Sequence, residues 1–332
     1  MKRVLLLGED GFGICEYIYK NLKKCGFDVI FINYNSCKYS SIWECFKINI
    51  GKFFCGECLK QVWKDQYIEN YIAKVVEERV DYTLCINSQI FSIPLLKYIK
   101  SITLDGNFLA FHWDGLNRFS TVKERIHLFN RFYVFDPHDK SNNNLFASNF
   151  YFDIDLNYES YIKINKFYYL GSYNKNRHIE INKLAKKLEE LGYESRFDII
   201  SNKKIDVYPS IHLMDTSHII KYEEYLENVK KSDVLVDFIN GLHLGLSYRI
   251  FEALAYDKKI ITTNKDIKYY EFYHPDNIFI LDNNYDELNS FLQKPYHYLD
   301  SKLKEKYSFT NWIHYVFQIE PYQEIPLPKF TH

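Results

Sequence analysis

The stretch GLHLGLSYRIFEAL, residues 241–254, follows the apolar run at residues 234–238 and leads into a segment with helical spacing. An apolar run, a loop that carries glycine and a helix, in that order, predict one strand–helix unit of a parallel α/β sheet. The start of such a helix favours phosphate oxygens, because free N–H groups and the positive end of the helix dipole lie there. An ordinary amphipathic helix with a surface Arg–Glu pair gives the same local pattern, so the residues alone leave both interpretations open.

Several side chains in and before this stretch have the chemistry of a nucleotide ligand. Ser247 can cap the helix or donate to a phosphate, and Arg249 supplies a forked cation for phosphate oxygens. Glu252 lies three residues after Arg249, so we expect it on nearly the same helix face, where a carboxylate can accept hydrogen bonds from a ribose diol. Asp237, at the end of the preceding strand, is either part of this site or a loop cap, and His243 is a further candidate.

The same alternation of strands and helices extends along the chain. Short apolar runs that have the length of strands stand at residues 4–8, 29–32, 82–86, 109–112, 133–135, 167–170, 197–200, 234–238 and 260–263. The β-α-β order predicts parallel sheets with helices on both faces. A chain of 332 residues suits two such cores, so we predict the α/β class with two Rossmann-like, doubly wound domains that face each other across a cleft.

The predicted boundaries follow from where the second series of strands begins. We expect an N-terminal domain at residues 1–155, a C-terminal domain at residues 156–310, and a tail at residues 311–332. The tail is too apolar to be left in water, so we expect it to pack back across the domains. Ligands of doubly wound sheets bind at the carboxyl ends of the strands, which is where we expect the site.

Composition excludes several classes of protein. The chain is 47% hydrophobic with a formal net charge of -1, which disfavours disorder, a nucleic-acid partner and an acidic tail. No run approaches the roughly 18 apolar residues that cross a bilayer. We therefore expect a cytoplasmic protein, with peripheral contact at the inner face of the cytoplasmic membrane left open by patches rich in Tyr, Phe and Lys.

The cysteines raise one alternative to a metal-free protein. All seven lie within the first 85 residues, and their odd number disfavours a disulfide scaffold. Cys55 and Cys58 form a CGEC pair, which is compatible with half of a zinc site completed by Cys37 and Cys45, or with a redox pair. That spacing is not typical of a zinc ribbon and no second CxxC exists, so we predict no metal site. Asp136 and Asp139, in FDPHD, are more simply a turn and a helix cap.

The run GLSYRIFEALAYDKKIITTN resembles the C-terminal donor site of GT-B glycosyltransferases, especially those that build bacterial lipopolysaccharide and capsule. The resemblance implies that Glu252 binds the nucleotide ribose. It also implies that the diphosphate is bound by Gly245, Leu246, Ser247 and Arg249. One departure concerns Leu244, which stands eight positions before Glu252, where retaining enzymes of this type often carry a first glutamate. The stereochemical outcome is therefore left open.

Two more segments resemble the same group. YLGSYNKNRHIEINKLA is similar to the opening of its C-terminal domain, where Gly171 and Ser172 end the first strand and Arg177 can approach phosphate. FHWDGLNRFS and FYVFDPHD are similar to stretches that close its N-terminal domain. The resemblance spans roughly residues 105–265 and is weak before residue 80 and after residue 285.

The N-terminal half supplies candidates for the acceptor side. His112 follows an apolar run and can act as a base or bind the transferred sugar, Trp113 can stack on a sugar ring, and Asp114 can orient either partner. A packed aromatic with two polar caps is the alternative. The first loop is the part that faces the acceptor in GT-B enzymes, and its residues here are Asp10, Gly11, Phe12 and Gly13. Its glycine spacing is not G-x-G-x-x-G, which disfavours a dinucleotide cofactor.

The resemblance implies a glycosyltransferase without a cofactor, which moves a sugar from a UDP- or GDP-linked donor to an oligosaccharide or lipid-linked acceptor of lipopolysaccharide or capsule. Arg249, Arg177 and the helix start would stabilise the leaving diphosphate in place of a metal. The alternatives are a transferase that uses a CMP-sugar, a sugar-nucleotide epimerase, and a catalytically silent GT-B module that binds a glycan or a partner protein.

Overall fold

A computed structural model describes residues 1–36, 58–154, 156, 165–217, 220–239, 241–282 and 284–330. The chain forms two compact units. The first comprises Met1–Phe135 and Asp139–Ala147, and the second comprises Asp136–His138 and Ser148–His332. In the described part of the chain, each unit contains one six-stranded parallel sheet, which confirms the predicted class of two doubly wound α/β domains.

The first unit is built on the apolar runs of the N-terminal half. Its strands are β1 (Arg3–Gly8), β2 (Asp28–Asn33), β3 (Tyr82–Ile86), β4 (Phe108–His112), β5 (Arg131–Val134) and β6 (Leu145–Phe146). Its helices are α1 (Ile14–Lys24), α2 (Cys58–Val75) and α3 (Ile93–Ser101). The strand order is β2-β1-β3-β4-β5-β6. Strands β1, β3 and β4 are almost entirely buried, as expected for parallel strands covered on both faces.

The second unit is also a six-stranded parallel sheet, but its strand order differs from that of the first unit. Its strands are β7 (Asn165–Ser172), β8 (Ser195–Ile200), β9 (Ile211–Met214), β10 (Ser232–Asp237), β11 (Lys259–Thr262) and β12 (Ile278–Ile280). Its helices are α4 (Lys175–Glu190), α5 (Tyr222–Lys230), α6 (Tyr248–Ala255), α7 (Leu288–Gln293), α8 (Ser301–Glu305) and α9 (Phe309–Phe317). The strand order β12-β11-β10-β7-β8-β9 places β7 beside both β8 and β10, so the direction of winding reverses between β7 and β10.

The second unit begins earlier than the sequence predicts. Ser148 already belongs to it, whereas the predicted boundary follows residue 155. The reason is packing against the tail helix α9: the indole Nε1 of Trp312 donates to the carbonyl of Ser148 at 3.0 Å, and the ring of Phe150 lies 4.5 Å from that of Trp312. Helix α9 therefore packs on residues of its own unit and is largely buried there, whereas much of the segment after it is exposed. Packing of the tail across the domains stays a prediction.

Two further expectations concern membrane-spanning helices and a metal or redox site formed by cysteines. No helix in the described ranges is long and apolar enough to span a bilayer. Cys37, Cys45 and Cys55 lie outside the described residues, as does the side chain of Cys58. The zinc or redox site that these cysteines would form therefore also lies outside them.

Candidate functional site

A cavity of about 260 Å³ lies at the carboxyl ends of β7, β10 and β11. The residues that line it follow these strands or begin helix α4, and they are Asn174, Asn176, Arg177, Glu180, Phe238, Ile239, Gly241 and Thr263. Because the winding reverses between β7 and β10, the loops after these strands diverge and leave space there. The cavity therefore occupies the position where doubly wound sheets bind their ligands.

The start of α4 forms one wall of the cavity. Asn174 caps the helix, since its Oδ1 accepts hydrogen bonds from the backbone N–H of Asn176 at 3.0 Å and of Arg177 at 3.3 Å. The guanidinium of Arg177 donates to the carbonyl of Ser172 at 3.3 Å, and its buried Nε–H has no partner among the described residues. Arg177 thus lies at the positive end of a helix, and its contact with phosphate stays a prediction.

Arg249 lies near the same edge of the sheet, but its guanidinium is hydrogen-bonded to other residues of the protein. Its Nη1 donates to Oδ1 of Asp237 at 3.1 Å, and its Nη2 donates to the carbonyl of Leu170 at 2.6 Å. The side chain is only 16% exposed and its guanidinium lies over the ring of Tyr169. Arg249 therefore ties the end of β7 to the end of β10, and it is not among the residues that line the described cavity.

Asp237 is the acceptor that gathers the polar groups around this edge. Its Oδ1 accepts from the Ser247 hydroxyl at 2.8 Å in addition to Arg249, and its Oδ2 accepts from the Thr262 hydroxyl at 3.0 Å. Ser247 precedes α6 without a side-chain cap bond, so its hydroxyl holds Asp237 instead. Asp237 and Ser247 thus lie near the predicted site, but they stabilise it through their hydrogen bonds and do not line the cavity.

Glu252 departs most from its expected position. It is 1% exposed, and its two carboxylate oxygens accept from the hydroxyls of Tyr222 at 2.7 Å and Tyr225 at 2.5 Å. Burial raises the pKa of this carboxyl, and the hydrogen bonds from the two tyrosines oppose that rise. The charge of Arg249 still acts on Glu252, but the expectation that Glu252 faces the ligand is not met, because the side chain links α6 to α5 in the interior.

The loop before α6 is held at its backbone by three buried side chains. Asp136 accepts from the N–H of Leu244 at 2.7 Å, and Asn264 donates to the carbonyl of Leu244 at 2.8 Å. Asn149 donates to the carbonyl of Leu246 at 2.9 Å. Sequence reasoning missed these roles, because Asp136 has the local pattern of a turn cap and its partner lies 108 positions away.

The glycines near the cavity differ in their exposure to it. Gly241, with φ of 73°, lines the cavity, whereas Gly245 and Leu246 are buried in the loop. Gly171 is the penultimate residue of β7, where a Cβ atom would overlap the hydroxyl of Tyr169. Ser172 is exposed and contributes its carbonyl to Arg177. Of the predicted donor contacts, Arg177 is therefore the one that the structure places on the cavity wall.

In the first unit, His112 lies at the end of β4 and is fully buried. It packs against Phe119 and Phe132, and its ring nitrogens make no well-formed hydrogen bond within the described ranges beyond an interaction with the backbone of Gly115. Burial lowers the pKa of His112 to about 4, so the ring is neutral near neutral pH. The position fits the packed-aromatic alternative better than that of an exposed base.

The neighbours of His112 are held by local contacts. Asp114 binds Arg118 through two hydrogen bonds of 2.9 and 3.0 Å, and the N–H of Trp113 donates to Asn87 at 3.3 Å. Asn87 has a φ of 54°, an unusual backbone conformation for a residue other than glycine. Asp114 is thus engaged by Arg118, and its predicted role in orienting His112 has no support in these contacts.

The predicted acceptor loop, residues 10–13, immediately precedes helix α1. The carboxylate of Asp10 accepts from the N–H groups of Cys15 and Glu16, both at 3.2 Å, and burial raises the pKa of this carboxyl. Gly13 has a φ of 84°, and Gly11 and Phe12 are exposed. Acceptor binding by this loop stays a prediction.

Comparison with known proteins yields structural likeness alone. No protein-family model matches the chain, and no curated protein matches it. Among solved structures, UDP-GlcNAc 2-epimerase from Methanocaldococcus jannaschii has a TM-score of 0.48 at 11% identity, over 92% of this chain and 98% of that one.

Two further solved structures are similar over most of their length. Glycosyltransferase SsfS6 from Streptomyces sp. SF2575, complexed with thymidine diphosphate, has a TM-score of 0.41 at 10% identity, over 79% of this chain and 82% of that one. MurG from Acinetobacter baumannii has a TM-score of 0.38 at 9% identity, over 79% of each chain. Likenesses of this degree assign no activity to this chain.

Proposed function

We propose that the protein is a glycosyltransferase whose second unit binds a nucleotide-sugar donor, UDP- or GDP-linked, in the cavity at the end of β7 and β10. The observation that carries the proposal is the position of Arg177, a cation without a carboxylate partner among the described ion pairs, on the wall of a cavity at the point where the winding reverses. The transferase activity itself is supported by the resemblance of residues 245–264 to the donor site of GT-B enzymes and of residues 169–185 to the opening of their C-terminal domain.

The arrangement suits a leaving diphosphate. Arg177 can donate a charge-assisted hydrogen bond to a phosphate oxygen, and the amino end of α4 adds its dipole. Donors fixed before the reaction stabilise the charge that develops when the bond between sugar and phosphate breaks. Asn174 fixes the first turn of α4 and thereby the base of the Arg177 side chain.

Arg249 has a different part in this proposal from the one its sequence predicts. Its hydrogen bonds to Leu170 and Asp237 hold β7 and β10 together directly below the cavity. It therefore acts as a positioning residue for the donor site. The carboxylate of Asp237 lies beside its guanidinium and offsets its positive charge. Arg249 therefore stabilises a bound diphosphate only indirectly.

The acceptor side of the proposal is a bacterial surface glycan, of lipopolysaccharide or capsule, bound by the first unit. It is supported by the resemblance of the HWD and FDPHD stretches alone. We assign no catalytic base, because His112 is buried among phenylalanines and Asp114 is engaged by Arg118.

The proposal is tested by incubating the protein with a panel of UDP-, GDP-, TDP- and CMP-sugars and oligosaccharide acceptors, with products read by mass spectrometry and NMR. Release of a nucleoside diphosphate together with a glycosylated acceptor is the expected result. Recovery of an epimerised donor without transfer would contradict it in favour of an epimerase. Glycan binding with every donor left intact would identify a silent binding module.

A further inference from the structure

We infer that Glu180 accepts hydrogen bonds from the ribose hydroxyls of the bound nucleotide and thereby selects ribonucleotides over 2′-deoxynucleotides. The inference rests on the proposed function, since it names the part of the donor that one side chain of the same cavity recognises. It also moves the ribose contact away from Glu252, the residue to which the sequence resemblance assigns it.

The first observation is the placement of two opposite charges on one wall of the cavity. Arg177 and Glu180 both line it, and both belong to α4. Residues three apart in a helix share a face, with Cβ atoms roughly 5–6 Å from each other. A ligand in this cavity therefore meets a cation and a carboxylate side by side.

The chemistry of the two groups defines the ligand. A guanidinium only donates hydrogen bonds, and an ionised carboxylate only accepts them. A carboxylate repels phosphate, so the ligand must present hydroxyl groups to Glu180 while it presents an anion to Arg177. A nucleoside 5′-diphosphate has this pattern, because its diphosphate and its 2′,3′-diol are attached to the two sides of the same ribose.

The second observation is that Glu180 is available whereas Glu252 is not. The Glu180 side chain is 29% exposed, and its ion pair with Lys183, at 3.0 Å, involves a lysine side chain that is 51% exposed. Such exposed pairs contribute little, and the carboxylate keeps further lone pairs for a ligand. The oxygens of Glu252 accept from Tyr222 and Tyr225 in the interior. Glu180 is thus the carboxylate that can reach a nucleotide in the cavity.

The test compares ribonucleotides with their deoxy analogues by calorimetry. UDP and 2′-deoxy-UDP, and GDP and 2′-deoxy-GDP, are titrated into the wild-type protein and into Glu180→Ala. We expect the wild-type protein to prefer the ribonucleotide by about tenfold or more, as for a hydrogen bond to a charged group, and this preference to fall to about one in the variant. Glu190→Ala, which removes an exposed carboxylate from the far end of α4, should keep the full preference.

The outcomes separate this inference from the function on which it rests. If the wild-type protein binds none of the nucleoside diphosphates, the proposed function fails and takes the ribose contact with it. If it binds them but does not prefer the ribonucleotide, or if Glu180→Ala keeps the preference, the role of Glu180 is wrong while the donor site stands. An unchanged far-ultraviolet circular dichroism spectrum shows that each variant is folded.

Discussion

At the scale of single residues, Arg177 and Arg249 show how surroundings decide what an arginine does. Both follow the predicted pattern of a cation near the amino end of a helix. Arg177 lines the cavity and donates to one strand carbonyl, whereas Arg249 does not line it and donates both to a strand carbonyl and to the buried carboxylate of Asp237. The first is available to a ligand, and the second stabilises the sheet edge on which the site is built.

The role of Arg249 predicts a loss of stability when it is removed. Arg249→Ala leaves Asp237 buried without its cation, and breaking such a buried pair destabilises a protein by about 3 kcal/mol. Urea unfolding monitored by circular dichroism measures the change. The matched control is Arg118→Ala, which breaks the more exposed pair with Asp114 and should change stability by about 1 kcal/mol or less. Equal effects of the two substitutions would contradict the role of Arg249 in holding β7 and β10 together.

His112 predicts a pH dependence of stability. Its pKa in the folded protein is about 4, below its ordinary value of 6.5, so the unfolded chain binds the extra proton as the pH falls between these values. Linkage then lowers the free energy of unfolding by about 2 kcal/mol between about pH 7 and about pH 5. His112→Leu removes this contribution, so its unfolding free energy should depend less on pH by that amount. His127→Leu, at an exposed position, should keep the wild-type dependence.

At the scale of elements, the loop before α6 is defined by contacts that come from distant parts of the chain. Asp136, Asn149 and Asn264 hold Leu244 and Leu246 by their backbone groups. Asp136 and Asn149 lie on the two segments where the chain enters the second unit. The position of the loop therefore depends on side chains that no local pattern around it reveals.

Substitution of Asp136 should loosen this loop. Asp136→Ala removes the acceptor of the Leu244 N–H, and loss of a hydrogen bond to a charged group raises the opening probability by about tenfold or more. Hydrogen exchange of the peptide that contains residues 241–247, read by mass spectrometry, should be faster by that factor. Asp282→Ala, which removes an exposed carboxylate elsewhere in the second unit, is the control. Unchanged exchange in Asp136→Ala would show that the loop is held without it.

Elements with strong patterns are the ones that the sequence predicts. The apolar runs at residues 82–86 and 234–238 are strands β3 and β10, and the glycine, cap and helix spacing after residue 171 marks the start of α4. Strands β6 and β12 were missed and β9 was not placed, because runs of two to four residues carry no clear periodicity. The position of Glu252 could not be predicted, since its tyrosine partners lie 30 and 27 positions upstream on a helix whose own pattern is only amphipathic.

At the scale of the whole molecule, two doubly wound sheets follow from one repeated pattern of strand and helix. That repetition explains why the fold class and the edge that carries the cavity could be predicted, because the carboxyl ends of parallel strands share one edge. Which side chains face the cavity depends on packing between elements, so Glu180 lines it whereas Glu252, which the pattern predicts there, is buried.

The central claim is that Arg177 and the cavity beside it bind a nucleoside diphosphate, and titration calorimetry with Arg177→Ala tests it most directly. We predict that the wild-type protein binds UDP or GDP and that Arg177→Ala raises the Kd by about tenfold or more, as expected for a lost charge-assisted hydrogen bond. Lys186→Ala, at an exposed position of the same helix, should leave the Kd unchanged. The same Kd in Arg177→Ala as in the wild-type protein, or no binding by the wild-type protein, would contradict the account.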